Sequence, residues 1–190
     1  MIKLLGISGS LRKAAYNTAL LRAALASLPP EAELEIKTLH GIPLYDGDVE
    51  AHDGIPPGVS ALKASVIAAD GLLLATPEYN NGIPGVFKNA IDWLSRPSSD
   101  IPRVFGAKPV ALIGASGGAF GTVLSQAAWL PVLKTLRTTV WTGGRVLVSR
   151  ASTAFGEDGL LKDAAAQDQL REFLRGYVDF VVLAQKRMCS

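Results

Sequence analysis

Residues 2–28 read IKLLGISGSLRKAAYNTALLRAALASL, an apolar run followed by a turn rich in glycine and serine and then by a helical pattern. The apolar run is typical of a strand buried in a parallel sheet. In the helical part, apolar residues recur at the spacing of one helix face: Leu20, Leu21, Ala24 and Leu25. Two prolines follow and end the helix. The segment therefore predicts a unit of strand, turn and helix.

The same alternation recurs along the chain and predicts five such units. We expect strands at residues 2–7, 34–39, 71–76, 109–115 and 145–148. We expect helices at about residues 17–28, 59–69, 86–94, 121–137 and 161–187. Repeated units of this kind form a parallel sheet covered by helices on both faces. Residues 40–57 are rich in Gly, Pro and Asp and are predicted to form a long surface loop.

Length, charge and cysteine content limit the possible domain organisation and binding partners. The 190 residues are enough for one domain with a full core, so we expect a single domain over residues 1–190. Nineteen Lys and Arg against 17 Asp and Glu are scattered along the chain, which predicts no nucleic-acid partner. The only cysteine is Cys189, which rules out an internal disulfide and a cysteine metal cluster.

The N-terminus is too soon interrupted by polar residues to be a signal peptide, and this predicts a cytoplasmic protein. Residues 109–133 carry no charge and are long enough to span a bilayer. Their many Gly and Ser residues, however, indicate a strand, a turn and an amphipathic helix. We therefore expect no membrane span.

The turn after the first strand, residues 6–18 (GISGSLRKAAYNT), is a candidate phosphate site. A glycine-rich turn that leads into a helix presents free backbone N–H groups and the positive end of the helix dipole. Ser10, Asn17 and Thr18 can add side-chain donors, and Arg12 can neutralise charge. The alternative is an ordinary turn in which Ser10 or Asn17 caps the helix. The patterns G-x-G-x-x-G and G-K-[ST] are absent, which argues against dinucleotide-fold and nucleoside triphosphate motifs.

Two further glycine-rich loops follow predicted strands, at residues 76–85 (TPEYNNGIPG) and 115–121 (ASGGAFG). In an open sheet of order 2-1-3-4-5, the loops after strands one and three leave in opposite directions and open a crevice. Flavin mononucleotide (FMN) would lie there. Taken singly, each loop is also compatible with an ordinary turn, and Tyr79 with a half-buried loop tyrosine.

With these residues the sequence resembles the NADPH-dependent FMN reductase family, which belongs to the flavodoxin-like superfamily and includes quinone, azo-dye and chromate reductases. The resemblance covers nearly the whole chain. Three motifs show it. The first is residues 9–12 (GSLR) with Asn17, and the third is residues 116–118 (SGG). The second is residues 77–80 (PEYN), followed by Gly82, Pro84, Gly85, residues 88–90 (KNA), Asp92 and Trp93. It implies a flavodoxin-like three-layer α/β sandwich with a five-stranded parallel sheet of order 2-1-3-4-5.

The resemblance also implies how FMN is held. The residues expected to bind the flavin phosphate are Ser10, Arg12, Asn17 and Thr18. The residues expected to form the wall under the isoalloxazine ring are Pro77, Glu78, Tyr79 and Asn80. The residues expected to border the ring from the other side are Ser116 and Gly117. Ala15 stands where the family often has a serine that helps to hold the phosphate, and this difference is expected to affect FMN affinity.

The implied activity is FMN-dependent oxidation of NAD(P)H. Two electrons would pass through the bound FMN to a small-molecule acceptor, whether quinone-like, azo, metal oxyanion or flavin. Because the cofactor carries the hydride chemistry, no catalytic acid or base and no metal ligand is assigned, and Glu78 is given a structural role. His40 and His52 are interpreted as solvated loop residues.

The resemblance further implies a homodimer or homotetramer, with residues 43–46 and the helix that bears Trp93 near the partner subunit. The main alternative is a flavodoxin-type electron carrier without NAD(P)H activity of its own. Such carriers are usually strongly acidic, whereas this chain has a formal net charge of +2.

Overall fold

In the computed structural model, residues 1–188 are described and contain a six-stranded parallel sheet. The strands are β1 (Ile2–Ser8), β2 (Ala32–Lys37), β3 (Gly71–Ala75), β4 (Pro109–Ala115), β5 (Thr139–Val140) and β6 (Val146–Val148). The order is β2-β1-β3-β4-β5, with β6 paired to β4 as well. This confirms the predicted strand order. Cys189 lies outside the described residues.

Helices cover both faces of the sheet. Within the described residues they are α1 (Tyr16–Ala26), α2 (Gly47–Asp53), α3 (Pro57–Ala68), α4 (Gly85–Leu94), α5 (Ile101–Phe105), α6 (Val123–Thr135), α7 (Ala151–Ala154) and α8 (Ala164–Met188), with a 3₁₀ turn at Ser98–Asp100. Helices α1 and α8 pack in one hydrophobic cluster, and α3, α4 and α6 pack in the other. Right-handed crossover connections produce this arrangement of three layers.

The central strands are buried on both faces, which explains why their sequences read as continuous apolar runs. Every residue of β3 and of β4 is buried. A parallel strand with helices on both sides has no solvent-facing positions, so it shows no alternation of polar and apolar residues.

The prediction of an irregular loop over residues 40–57 was wrong in part, because α2 occupies Gly47–Asp53. The carboxylate of Asp46 accepts a hydrogen bond from the Asp48 N–H (2.8 Å) and caps this helix. Gly54 ends it with a φ of 77°. No residue of α2 is buried, so the helix has none of the apolar spacing by which the longer helices are recognised.

The region after β4 also differs from the prediction. The fifth strand is divided into β5 and β6, which pair with the beginning and the end of β4 and are separated by residues 141–145. The short helices α5 and α7 were not predicted. The last helix begins at Ala164 and not at residue 161, since Leu161 forms a β-bridge with Phe155 and is buried.

Among residues 1–188, the structure shows no helix with both the length and the apolar character needed to cross a bilayer. The uncharged stretch 109–133 forms β4, a glycine-rich loop and most of α6.

Candidate functional site

The first turn of α1 lies at the carboxyl end of β1 and has no side-chain cap among the described residues. The residue before the helix is Ala15, so neither Ser10 nor Asn17 caps it, which removes the alternative of an ordinary capped turn. The first backbone N–H groups of a helix have no partner within the helix and carry its positive partial charge. This end of α1 can therefore accept an anion.

Ser10 and Arg12 lie in the loop just before that helix. Ser10 is almost fully buried, and its hydroxyl oxygen accepts a hydrogen bond from the Arg12 N–H (3.3 Å). The side chain of Arg12 is exposed, and its guanidinium carbon lies 5.9 Å from the centre of the Tyr16 ring. A cation therefore stands at the open end of α1.

Asn17 and Thr18 are buried and hold this end of α1 against the sheet. The Asn17 side chain donates to the Ala115 carbonyl (2.9 Å) and accepts from the Ala115 N–H (2.9 Å). The Thr18 hydroxyl shares a hydrogen bond with the Ser8 hydroxyl (2.8 Å). Both side chains are thus engaged in positioning the helix, a role that sequence reasoning did not foresee.

The loop after β3 makes a tight turn that brings Tyr79 to the same edge. Tyr79 and Gly82 exchange two backbone hydrogen bonds (3.2 and 3.0 Å), and Asn80 and Asn81 between them have φ values of 49° and 61°. Asparagine tolerates this left-handed region better than most residues, as in type I′ turns. The Tyr79 ring is 47% exposed, and its hydroxyl lies 3.5 Å from the Ser10 hydroxyl. The loops after β1 and β3 therefore meet.

Glu78 links the loop after β3 to helix α6. One of its carboxylate oxygens accepts hydrogen bonds from the N–H groups of Leu124 (2.8 Å) and Ser125 (2.9 Å). Thr122, the residue before the helix, provides no cap of its own. A carboxylate at a helix N-terminus satisfies free N–H groups and opposes the helix dipole. Glu78 is therefore the cap of α6, which agrees with the structural role expected for it.

Gly9, in the loop after β1, and Gly114, in β4, lie where there is no room for a side chain. A Cβ atom on Gly9 would lie 2.2 Å from the Phe87 ring, and one on Gly114 would lie 2.0 Å from the Thr122 hydroxyl. Below the loops, the Thr76 hydroxyl shares a hydrogen bond with the Ser125 hydroxyl (2.8 Å) and accepts one from the Trp129 indole N–H (3.1 Å). This buried network fixes β3 against α6.

The loop after β4 forms an open surface beside the Tyr79 turn. The Ser116 N–H donates to the Val148 carbonyl (3.0 Å), and the Gly118 N–H donates to the Ser116 hydroxyl (3.2 Å). A Cβ atom on Gly117 would meet no other atom within 4 Å, so the backbone here is open to a flat ligand. Phe120, further along the loop, is 80% exposed.

His40 also contacts the loop after β1, which the sequence did not indicate. One ring nitrogen lies 3.0 Å from the Leu11 carbonyl and the other 3.1 Å from the Thr38 hydroxyl. The side chain therefore connects the segment after β2 with the loop after β1. His52, by contrast, is exposed on α2 and is paired with Asp53 (2.5 Å).

The donors at this edge fit the chemical parts of FMN. The uncapped end of α1, with Ser10 and Arg12, suits a phosphate dianion, and the open surface between Tyr79 and Gly117 suits a planar ring. Among residues 1–188 there is no group of three or more His, Cys, Asp or Glu side chains arranged to hold a metal ion.

This fold defines a flavodoxin-like protein, and the loops after β1 and β3 meet at its switch point. The family model for NADPH-dependent FMN reductase matches residues 2–153. The chain belongs to that family, which confirms the resemblance seen in the sequence. Membership also confirms the expected class of enzyme, an oxidoreductase with FMN as cofactor and NAD(P)H as co-substrate.

Individual relatives agree with this assignment. The chain is 44% identical over 174 residues to an NAD(P)H-dependent FMN reductase of Pseudomonas aeruginosa, covering 92% of each chain. It is 32% identical over 180 residues to a 2-hydroxy-1,4-benzoquinone reductase of a Burkholderia species, covering 95% of this chain and 96% of the relative. The solved structure of a flavoenzyme NAD(P)H:(acceptor) oxidoreductase from Paracoccus denitrificans matches with a TM-score of 0.86 and 29% identity, covering 97% of this chain and 99% of that one.

We predict that Glu78→Ala lowers the free energy of unfolding of the FMN-free protein by about 0.5 to 2 kcal/mol, the usual cost of removing a helix cap. Urea denaturation of the apoprotein measures this loss. Glu78→Gln keeps one oxygen acceptor but no charge, so its loss should be smaller. Glu172→Ala, at an exposed position of α8, is the control. If Glu78→Ala is as stable as this control, the capping role is wrong.

Proposed function

We propose that the chain acts as one FMN-binding domain that oxidises NAD(P)H and passes two electrons to a small-molecule acceptor. The observation that supports this most is the uncapped first turn of α1, which lies beside Ser10 and Arg12 at the same sheet edge as the Tyr79 turn. Family membership supplies the cofactor that fits this arrangement.

In this proposal the FMN phosphate lies at the end of α1. It accepts hydrogen bonds from the first backbone N–H groups of the helix and from Ser10, and Arg12 balances its charge. Asn17 and Thr18 contribute their backbone N–H groups and hold the helix in place through Ala115 and Ser8. Ala15 provides no hydroxyl here, so backbone donors carry more of the binding.

The isoalloxazine ring lies between the turn after β3 and the loop after β4. Pro77, Glu78, Tyr79 and Asn80 form one wall, and Ser116 and Gly117 form the opposite border. Bound FMN supplies hydride acceptance from NAD(P)H and release of two electrons. The chain orients the ring, because the Glu78 cap and the Asn80-Asn81 turn fix the wall against α6.

The acceptor enters the face that NAD(P)H leaves, so the two substrates react in turn. A quinone-like compound is the acceptor best supported, since one relative that matches almost over its full length is named a benzoquinone reductase. Azo compounds, metal oxyanions and free flavin are the other acceptor classes. The proposed location is the cytoplasm, where NAD(P)H is available as co-substrate.

We also propose a homodimer or homotetramer. Leu44 is 83% exposed, and Leu124 and Leu130 on α6 are exposed as well, so a partner subunit that covers them would bury apolar surface. The segment 43–46 is held to α2, because the Tyr45 hydroxyl donates a hydrogen bond to Glu50 (2.9 Å), and this bond raises the pKa of Tyr45. Trp93 is fully buried, and its indole N–H donates to the Pro43 carbonyl (2.9 Å). It therefore fixes the segment 43–46 against α4.

The first test is an absorbance spectrum of the purified protein before and after anaerobic addition of NAD(P)H. We expect a flavin spectrum that bleaches, because the ring accepts hydride at this site. A flavin spectrum that does not bleach would favour the electron-carrier alternative. A colourless protein that binds no added FMN would overturn the proposal.

Steady-state kinetics test the order of the two half-reactions. If NAD(P)H leaves before the acceptor enters, double-reciprocal plots at several fixed acceptor concentrations are parallel lines. Menadione is a suitable quinone acceptor for this measurement. Intersecting lines, the pattern of a ternary complex, would contradict the proposed sequence.

Arg12→Ala should weaken FMN binding by about tenfold while the fold is unchanged. A charge-assisted hydrogen bond contributes about 1.5 to 3 kcal/mol, and we take the low end because Arg12 is exposed. Quenching of FMN fluorescence on titration with apoprotein measures the Kd. Arg22→Ala, an exposed position further along α1, is the matched control. Equal affinities for the two variants would show that Arg12 does not contact the phosphate.

A further inference from the structure

Arg150 has an unusual backbone conformation at the sheet edge that carries the candidate site. It follows β6, two residues beyond its last residue, and so lies at the carboxyl end of the sheet. Its φ is 45°, in the left-handed region that residues other than Gly, Asn and Asp rarely adopt. Strained positions of this kind are found more often at binding sites than elsewhere.

The backbone around Arg150 is bonded directly to the loop after β4. The Arg150 N–H donates to the Gly118 carbonyl (2.9 Å), and the Ala151 N–H donates to the Ser116 carbonyl (3.0 Å). These bonds fix Arg150 beside the residues that are proposed to border the flavin ring. Because the contacts use backbone atoms only, they leave the side chain free to reach a ligand.

The same segment also reaches the start of α1. Phe155 stacks on Tyr16 with 5.5 Å between ring centres, and the Arg12 guanidinium lies over the same Tyr16 ring. Residues 150–155 therefore extend from the loop after β4 to the proposed phosphate site. Arg150 and Arg12 are therefore both exposed cations at the carboxyl edge of the sheet.

The guanidinium of Arg150 is exposed and has no hydrogen bond or ion pair with the rest of the described chain. Among the described arginines, Arg103 and Arg171 are each paired with a carboxylate, and Arg150 is not. An arginine fork is well suited to bind phosphate oxygens in pairs. Arg12 is already assigned to the FMN phosphate, so Arg150 remains for a second anionic ligand.

We propose that Arg150 binds a phosphate group of NAD(P)H while the nicotinamide lies on the flavin. This inference rests on the proposed function, because that function brings a second phosphate-bearing nucleotide to the same opening. NADH carries a pyrophosphate, and NADPH carries a 2′-phosphate in addition. Both are anions that an arginine at the border of the site can bind, and the experiment distinguishes between them.

The test compares Arg150→Gln with the wild-type holoenzyme in NADH and NADPH oxidation, with menadione as acceptor. We expect the KM for the nucleotide to rise about tenfold, the low end for loss of a charge-assisted hydrogen bond, because Arg150 is exposed. FMN content, the kcat at saturating nucleotide and the KM for menadione should stay close to wild type. Arg150→Lys keeps the charge and should recover part of the loss.

Arg137→Gln is the matched control, because Arg137 is also exposed and has a φ of 60° but lies after α6, at the opposite edge of the sheet. Its KM values should equal those of the wild type. A rise for NADH and NADPH alike would assign Arg150 to the pyrophosphate, and a rise for NADPH alone would assign it to the 2′-phosphate.

Three results would overturn the inference. If Arg150→Gln has wild-type KM values in an active enzyme, Arg150 binds neither phosphate, and the proposed function is unaffected. If the variant loses FMN, Arg150 belongs to the FMN site instead. If the wild-type protein holds FMN but does not oxidise NAD(P)H, the proposed function fails and this inference fails with it.

Discussion

Strand β1 lies between β2 and β3, and this position determines which loops of the chain can meet. The connection from β1 to β2 places α1 on one face, and the connection from β2 to β3 crosses back and places α3 on the other. The loops after β1 and β3 therefore leave the same edge in opposite directions and open a crevice. The Gly9 N–H, bonded to the Ala75 carbonyl (2.9 Å), keeps the two loops together at its base.

Helices α1 and α6 both begin at this edge, and they differ in how their first turns are satisfied. The first turn of α6 is capped by a side chain of the protein itself, since Glu78 accepts hydrogen bonds from two of its N–H groups. Helix α1 has no such carboxylate and instead has Ser10 and the cation of Arg12 nearby. An anionic ligand is therefore expected at α1 and not at α6. The same carboxylate that caps α6 also fixes the turn that bears Tyr79 against this helix. One contact therefore serves both the helix and the candidate flavin site.

The parts of the fold that could be predicted are those whose signal is local. Strands β3 and β4 are buried on both faces, and their apolar runs are visible in the sequence without knowledge of their neighbours. Helix α2 buries nothing and has no such signal. The cap of α6 could not be predicted either, because Glu78 and the N–H groups it binds are 46 and 47 residues apart in the chain. The contact of His40 with the Leu11 carbonyl depends in the same way on tertiary structure. The sequence predicted the loops of the candidate site, and only the fold shows which side chains hold these loops in place.

Two titratable side chains at this edge, Glu78 and His40, are engaged in holding loops. Glu78 caps a helix, and His40 joins the Leu11 carbonyl to Thr38. This suits an enzyme in which bound FMN supplies the redox chemistry and the chain supplies geometry. In the proposed function, selection among acceptors depends on the loops after β3 and β4, where Tyr79 and Phe120 are exposed. Since both residues lie in loops outside the sheet, the proposal allows the acceptor to change while the sheet and the Glu78 cap stay the same.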